Sequence, residues 1–223
     1  MKPLISEDGS ATAYSDAYRQ TYHSTHGALT ESRMVYLQNS GIADALAEGR
    51  AVHVLEVGFG LGLNFLLSAA CALGHNSTLR YTALEKDLIS AATLRDLDYG
   101  TLLPDAAPVV DALEKALQCP PGDSLHLQHG PVSLQILCGD ALHATLPGAV
   151  DAVYQDAFSP DSNPELWTDD FLQGLCNTLR PGGRLTTYCV KGDVRRALKR
   201  CGLSVKKHPG PPGKREVLIA TKL

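Results

Sequence analysis

The chain has 223 residues, 44% of them hydrophobic, with 20 Lys/Arg against 24 Asp/Glu and a formal net charge of -4. That length suits one domain with a small extension and a core of its own, and the composition excludes a disordered, fibrous or membrane-spanning class. The longest apolar stretch, Gly62 to Gly74, is broken by Asn64 and Ser68 and is too short for a bilayer. The opening MKPLISEDGS lacks the apolar core of a secretory signal, so a cytoplasmic location with no membrane partner is expected. Six cysteines (71, 119, 138, 176, 189 and 201) form no C-x-x-C pair, and there is no H-x-x-x-H motif, so reduced thiols and no metal site are expected.

The net charge hides a gradient. From Arg180 onward twelve Lys/Arg face only Asp193 and Glu216, a local charge of +10, while the preceding stretch carries -14. Such asymmetry fits a face that meets a polyanion, and equally fits a solvated helix.

Residues 1–50 read as an extension, with short polar strands around Ala11 to Tyr14 and helical signals over Leu29 to Leu37 and Ile42 to Ala47. Strand and helix then alternate. AVHVLEV is a buried strand, GLNFLLSAACAL a helix ended by Gly74, LRYTALE a second strand, and DLISAATLRDL a helix with Asp87 as its expected cap. Residues 106–118 read as a helix stopped by Pro120, Pro121 and Gly122. SLHLQHG and VSLQILCG form a hairpin, VDAVYQD a strand, and PELWTDDFLQGLCNTL a helix opened by Pro164. GRLTTYCV, DVRRALKRC, LSVKK and REVLIATKL complete the pattern as strand, helix, strand, strand. Alternation of this kind implies right-handed crossovers and a mainly parallel, doubly wound α/β sheet. Seven strands are expected, with the last antiparallel because HPGPPGK has no room for a helix.

Ligands of such sheets bind at the carboxyl ends of the strands, and four ends carry chemistry. EVGFGLGLN places Gly58, Gly60 and Gly62 in a G-x-G-x-G turn, where a dinucleotide fingerprint would need its third glycine at Leu63. Glu85 ends the second strand, where a carboxylate can accept both hydroxyls of a ribose. Asp140 follows QILCG, and Asp156 ends VDAVYQ before a loop bearing Phe158, Pro160, Pro164 and the lone Trp167.

LEVGFGLGLN, LEKD, CGDA and LRPGGRL together resemble the Rossmann-like class I methyltransferases that use S-adenosylmethionine, over about residues 52–221. The resemblance implies that Gly58 and Gly60 hold the methionine portion, Glu85 the ribose, and Asp140 the adenine side. Glu56, Asn64, Lys86, Ala141 and Asp156 complete the expected cofactor contacts.

A narrower set, TYHSTHGALTESRMVYL, GFGLGLNFL, QDAFSPDSNPELW and GKREVLIA, resembles the methyltransferase domain of the MnmC family of bacterial tRNA wobble-uridine modification enzymes, including its stand-alone MnmD-like relatives. The resemblance implies a methyltransferase domain over 51–223 with the extension 1–50 packed on it. It also implies methylation of the primary amine of 5-aminomethyl-2-thiouridine in a tRNA anticodon loop, with Asp156 beside the transferred methyl. Bifunctional members add a flavin oxidase domain. None is expected here, and a separate oxidase or aminomethyl-forming enzyme would act upstream.

An aliphatic amine is mostly protonated at neutral pH, so a strand-end carboxylate such as Asp156 suits binding, orienting and deprotonating it. Phe158 and Trp167 could pack on a flat base, with Pro160 stiffening their loop. Tyr22 and His23 are candidates to close over the site. Lys214 and Arg215 could meet tRNA phosphates, together with Arg195, Arg196, Lys199 and Arg200 on one helix. Two other readings remain open: a small-amine methyltransferase or aminopropyltransferase of the same fold, and a non-catalytic cofactor- or RNA-binding module.

Overall fold

The computed structural model describes residues 3–119 and 122–223; Pro120 and Pro121, expected to stop a helix, lie outside the described residues. Three short strands, β1 (Pro3–Ile5), β2 (Ala11–Ser15) and β3 (Gln20–Thr21), form a small antiparallel sheet. Helix α1 (Ala28–Glu31) runs directly into a π-helical stretch, Ser32–Gln38, where one α-helix had been expected. The Asn39 N–H reaches the Met34 carbonyl five residues back. Such wide turns recur at functional sites because they re-aim side chains, and this one carries Tyr36. Helix α2 (Ile42–Ala47) completes the N-terminal segment.

The alternating part follows the expected order: β4 (Val52–Val57), α3 (Leu63–Gly74), β5 (Leu79–Glu85), α4 (Ala91–Asp96), α5 (Tyr99–Leu102), α6 (Ala107–Leu117), β6 (Ser124–His129), β7 (Val132–Cys138), β8 (Val150–Gln155), α7 (Asp169–Thr178), β9 (Leu179–Thr187), α8 (Gly192–Arg200), β10 (Leu203–Pro209) and β11 (Glu216–Lys222). These strands make one eight-stranded sheet in the order β10-β11-β9-β8-β4-β5-β7-β6. The expectation of seven strands fails because both arms of the 124–138 hairpin join the sheet, β6 as its edge. β4, β5, β7, β8 and β9 are parallel, and β11 runs antiparallel to both of its neighbours.

Two local expectations are corrected. Ser90, not Asp87, caps α4, its hydroxyl accepting the Thr93 N–H at 3.1 Å. Pro164 opens a 3-10 turn over Pro164–Trp167, and α7 begins only at Asp169 under a Thr168 cap. In each case a hydroxyl residue with extended backbone supplies the acceptor that a helix start needs.

Both faces of the sheet are covered, which is why its central strands read as continuous apolar runs. Alternation sends Val54, Ala152 and Tyr154 into a core shared with α3, α6 and the N-terminal segment, and Leu55, Val57 and Val153 into a core with α7 and α8. The chain leaves β4 for β5 and β7 on one side and for β8 and β9 on the other. The reversal opens a crevice at the carboxyl ends of these strands.

Candidate active site

Gly58 follows β4 at φ +86°, and a Cβ there would stand 3.1 Å from the Asp156 carbonyl oxygen. Gly60 has φ +55°, and its Cβ would stand 3.1 Å from the Tyr22 ring. Only glycine keeps this turn left-handed and thin enough to leave space between β4, β8 and the N-terminal segment. That space is an open crevice, lined among others by Gly58, Gly60, Glu85, Lys86, Asp140 and Ala141.

Glu85 accepts the Gly60 N–H and the Asp87 N–H at 2.8 Å each. Burial pushes its pKa up, against the pull of those N–H donors. Lys86 lies 3.8 Å from Asp140, whose other oxygen accepts the Leu142 N–H at 3.0 Å. A thin glycine turn, a half-buried strand-end acid with spare lone pairs and a second acid nearby thus line one crevice, a lining whose chemistry fits a ligand with an amino-acid end and a ribose.

Asp156 sits where this crevice meets a second one. Continuing the alternation of β8 puts it on the face of Tyr154, toward the N-terminal segment. Tyr36, brought there by the π-helical stretch, donates its hydroxyl to Oδ1 at 2.5 Å, and the Asn64 amide donates to Oδ2 at 2.8 Å. Burial pushes the Asp156 pKa up to about 7, with Glu31 adding to the rise and Tyr36, Asn64 and Lys214 opposing it. The carboxylate is thus held at both oxygens and keeps lone pairs free.

The loop after Asp156 is tied at three successive residues. The Tyr188 hydroxyl donates to the Ala157 carbonyl at 2.9 Å, the Trp167 indole to the Phe158 carbonyl at 2.8 Å, and the Ser159 N–H to Gln20 at 3.2 Å. Phe158 stacks on Tyr18 at 4.3 Å between centroids and also meets Tyr22. Trp167 is buried against Tyr188 and anchors the loop from behind.

The second crevice is walled by Gln20 to His26 and Glu31, by Asp156 to Phe158, by Tyr188 and by Gly213 and Lys214. Tyr22, His23, Asp156, Ala157 and Phe158 line both crevices. His23 is buried and bonded to Thr12, and burial lowers its pKa to about 4, so it is neutral at pH 7. Burial pushes Tyr22 up to about 12.

Not every expected residue lines these spaces. Glu56 and Asn64 lie one layer beneath, fully enclosed; Asn64 bridges the Glu56 and Asp156 carboxylates with its amide at 2.8 Å each. Burial, and then the charge of Asp156, push Glu56 well above the usual carboxylate range. Pro160 and Trp167 stand outside both crevices, and Arg215 is exposed. Lys214 turns inward instead of facing a polyanion: its ammonium pairs with buried Glu31 and lies 4.1 Å from the Tyr188 ring centroid. Tyr36, Glu31, Tyr188 and Tyr18 were not singled out from sequence. Glu31 and Tyr36 do stand inside the stretch TESRMVYL, and nothing local distinguishes them there from ordinary helix residues.

Known proteins place this geometry in a family. The profile of an S-adenosyl-L-methionine-dependent methyltransferase family matches residues 107–223. The chain is 34% identical to the tRNA 5-methylaminomethyl-2-thiouridine biosynthesis bifunctional protein MnmC of Cupriavidus necator, over 99% of this chain and 34% of that protein. It is 36% identical to the protein of the same name from Azoarcus sp., over 96% of this chain and 34% of that protein. The chain therefore spans about a third of the length of the curated relatives it matches. The crystal structure of MNMC2 from Aquifex aeolicus shares the fold at a TM-score of 0.80 and 26% identity, over 99% of this chain and 70% of that one. With more than half of its residues matched by the family profile, the chain belongs to the S-adenosyl-L-methionine-dependent methyltransferases.

Proposed function

We propose that this chain methylates the primary amine of 5-aminomethyl(-2-thio)uridine at the wobble position of tRNA, giving the 5-methylaminomethyl product. The observation that carries the reading is the position of Asp156, a carboxylate on the partition between a crevice suited to S-adenosylmethionine and a second, polar crevice open to a substrate. The names of the relatives point to the same modification.

Bound S-adenosylmethionine supplies a methyl group on a sulfonium, open to in-line attack by nitrogen. The chain's own residues prepare the nitrogen. The substrate enters the second crevice as an ammonium, and Asp156 binds it through the lone pairs that Tyr36 and Asn64 leave free. A carboxylate with a pKa near 7 is a better proton acceptor than an ordinary one. Asp156 would take one proton from the ammonium, and the freed lone pair would accept the methyl group as its bond to sulfur breaks, the sulfur leaving as a neutral thioether. The product is a secondary ammonium, and Asp156 returns its proton to water through the second crevice. Phe158 and Tyr22 wall the reacting centre, and Trp167 keeps Phe158 in place through its carbonyl. The proposed partner is the tRNA anticodon loop, whose unpaired bases can be splayed into a pocket. A separate enzyme forms the aminomethyl precursor. Among the described residues no helix is long and apolar enough to cross a membrane.

Deleting the gene and analysing tRNA nucleosides by mass spectrometry tests the reading. Accumulated 5-aminomethyl(-2-thio)uridine with loss of the methylated product is expected; an unchanged nucleoside profile rejects it. Offering free polyamines to the purified chain in parallel separates it from a small-amine transferase.

A further inference from the structure

We infer that Lys214 determines specificity for the pyrimidine: its ammonium donates to the 4-carbonyl oxygen of the base whose neighbouring 5-aminomethyl group meets Asp156. The inference rests on the proposed methylation and goes beyond it to the group that reads the ring.

Lys214 and Asp156 line the same crevice. An ammonium has three donors. One is spent on Glu31 Oε1, and the face of Tyr188, 4.1 Å away, receives the positive charge from another side. Glu31 cannot easily swing off, because its second oxygen accepts the Ser24 N–H at 2.7 Å. Its side chain is only 6% exposed, against 29% for Lys214. The remaining donor of Lys214 has the crevice to point into.

The charge of the crevice says what that donor can take. Two carboxyl groups, Glu31 and Asp156, share this space with the single ammonium of Lys214, and His23 is neutral. A phosphate would bring further negative charge beside two carboxylates in a largely buried space, and repulsion disfavours it. A carbonyl oxygen brings none. In a 5-aminomethyl pyrimidine, C4 and its substituent adjoin ring carbon C5, which bears the aminomethyl group. An amine held at Asp156 therefore presents that group to the same crevice. Uracil offers an acceptor there and cytosine an amino donor, which an ammonium rejects. Phe158 and Tyr188 supply flat walls for the ring.

The test uses the full chain, S-adenosylmethionine and two anticodon stem-loop RNAs, one with 5-aminomethyluridine and one with 5-aminomethylcytidine at the wobble position. The unaltered chain should favour the uridine RNA by about 10- to 100-fold in kcat/KM, the size of a charge-assisted hydrogen bond. Lys214→Met should remove that preference: because Lys214 also holds the Asp156 pKa down, both reactions slow, and the readout is the ratio of uridine to cytidine kcat/KM, which should fall to near one. Lys214→Arg, which keeps a cationic donor, should keep most of it. Unchanged S-adenosylmethionine affinity in calorimetry marks the variants as folded. An equal fall on both RNAs, or a preference that survives Lys214→Met, overturns the inference and leaves the methylation standing. Failure of the unaltered chain to methylate either RNA sinks both.

Discussion

The two crevices that meet at Asp156 are built in opposite ways. The crevice proposed for the cofactor is made by the sheet: one glycine turn and the acids Glu85 and Asp140 stand at or just past the ends of β4, β5 and β7, where the ladder fixes their spacing. The second crevice is made by packing. Tyr36 reaches Asp156 from 120 positions away, and Lys214 reaches Glu31 from 183. The first should therefore govern cofactor affinity and the second turnover and choice of substrate, with Asp156 answering to the second although it touches both.

The largest expected effect tests that division. Asp156→Asn keeps shape and removes the base, so single-turnover methyl transfer should fall about 100- to 10,000-fold with the S-adenosylmethionine dissociation constant little changed. Turnover near that of the unaltered chain would remove the proton-accepting role. Gly58→Ala should show the reverse split. Its Cβ meets the Asp156 carbonyl at 3.1 Å in a left-handed conformation, a strain of about 1–3 kcal/mol. Cofactor affinity measured by calorimetry should drop at least tenfold, with a lower melting temperature.

The same contrast explains what was legible in the sequence. Strand ends are local: an apolar run, a glycine and an acid announce Gly58, Glu85, Asp140 and Asp156 without knowledge of any partner. The parallel order and the reversed β11 follow equally from alternation and a short loop. The extra edge strand was hidden because a hairpin arm can end inside a sheet or outside it with the same residues. Tyr36 was hidden because a helix periodicity does not reveal a π-helical stretch, and its partner is 120 residues downstream. Lys214 stands out in sequence only as a phosphate contact beside Arg215; the burial of Glu31, which turns it inward, is not legible there. Glu56 and Asn64 were read as cofactor contacts because sequence proximity to a glycine turn does not tell lining from support.

Tyr36→Phe sharpens the comparison with a smaller, pH-dependent effect. The Tyr36 hydroxyl lowers the Asp156 pKa, which burial has raised to about 7. Removing it lets the pKa climb, so the carboxylate is ionised only at higher pH. The acid limb of kcat/KM should move up by roughly one pH unit, with activity falling about fivefold at pH 7 and largely regained at pH 9. The stability consequence has a definite sign. Asp156 binds its proton more tightly folded than unfolded, so its contribution is fully present below pH 4 and is lost as pH rises through 7. Asp156→Asn should therefore flatten the fall in melting temperature between pH 5 and pH 8 relative to the unaltered chain. An unshifted acid limb in Tyr36→Phe would show that the hydroxyl only packs.

The smallest effect concerns the basic C-terminal third, whose cations lie outside both crevices apart from Lys214. Its charge is mostly spent within the chain. Arg180, Lys191, Arg196, Arg200, Lys207 and Lys214 form ion pairs, Arg184 donates to the Asn39 carbonyl, and Lys222 donates to carbonyls at the end of α7. Among the described residues Arg195, Lys199, Lys206 and Arg215 have no such partner. A polyanion would meet these four cations rather than a field of +10. Each phosphate that a cation no longer neutralises should lower the slope of log affinity against log salt by about 0.7 to 0.9. Arg215→Glu should weaken tRNA binding several-fold at low salt and flatten that slope by about one, and should leave cofactor affinity and the preference for uridine unaltered. Equal tRNA affinity at low and moderate salt would place the tRNA on another face, and the second crevice would then have to be entered from the side of the N-terminal sheet.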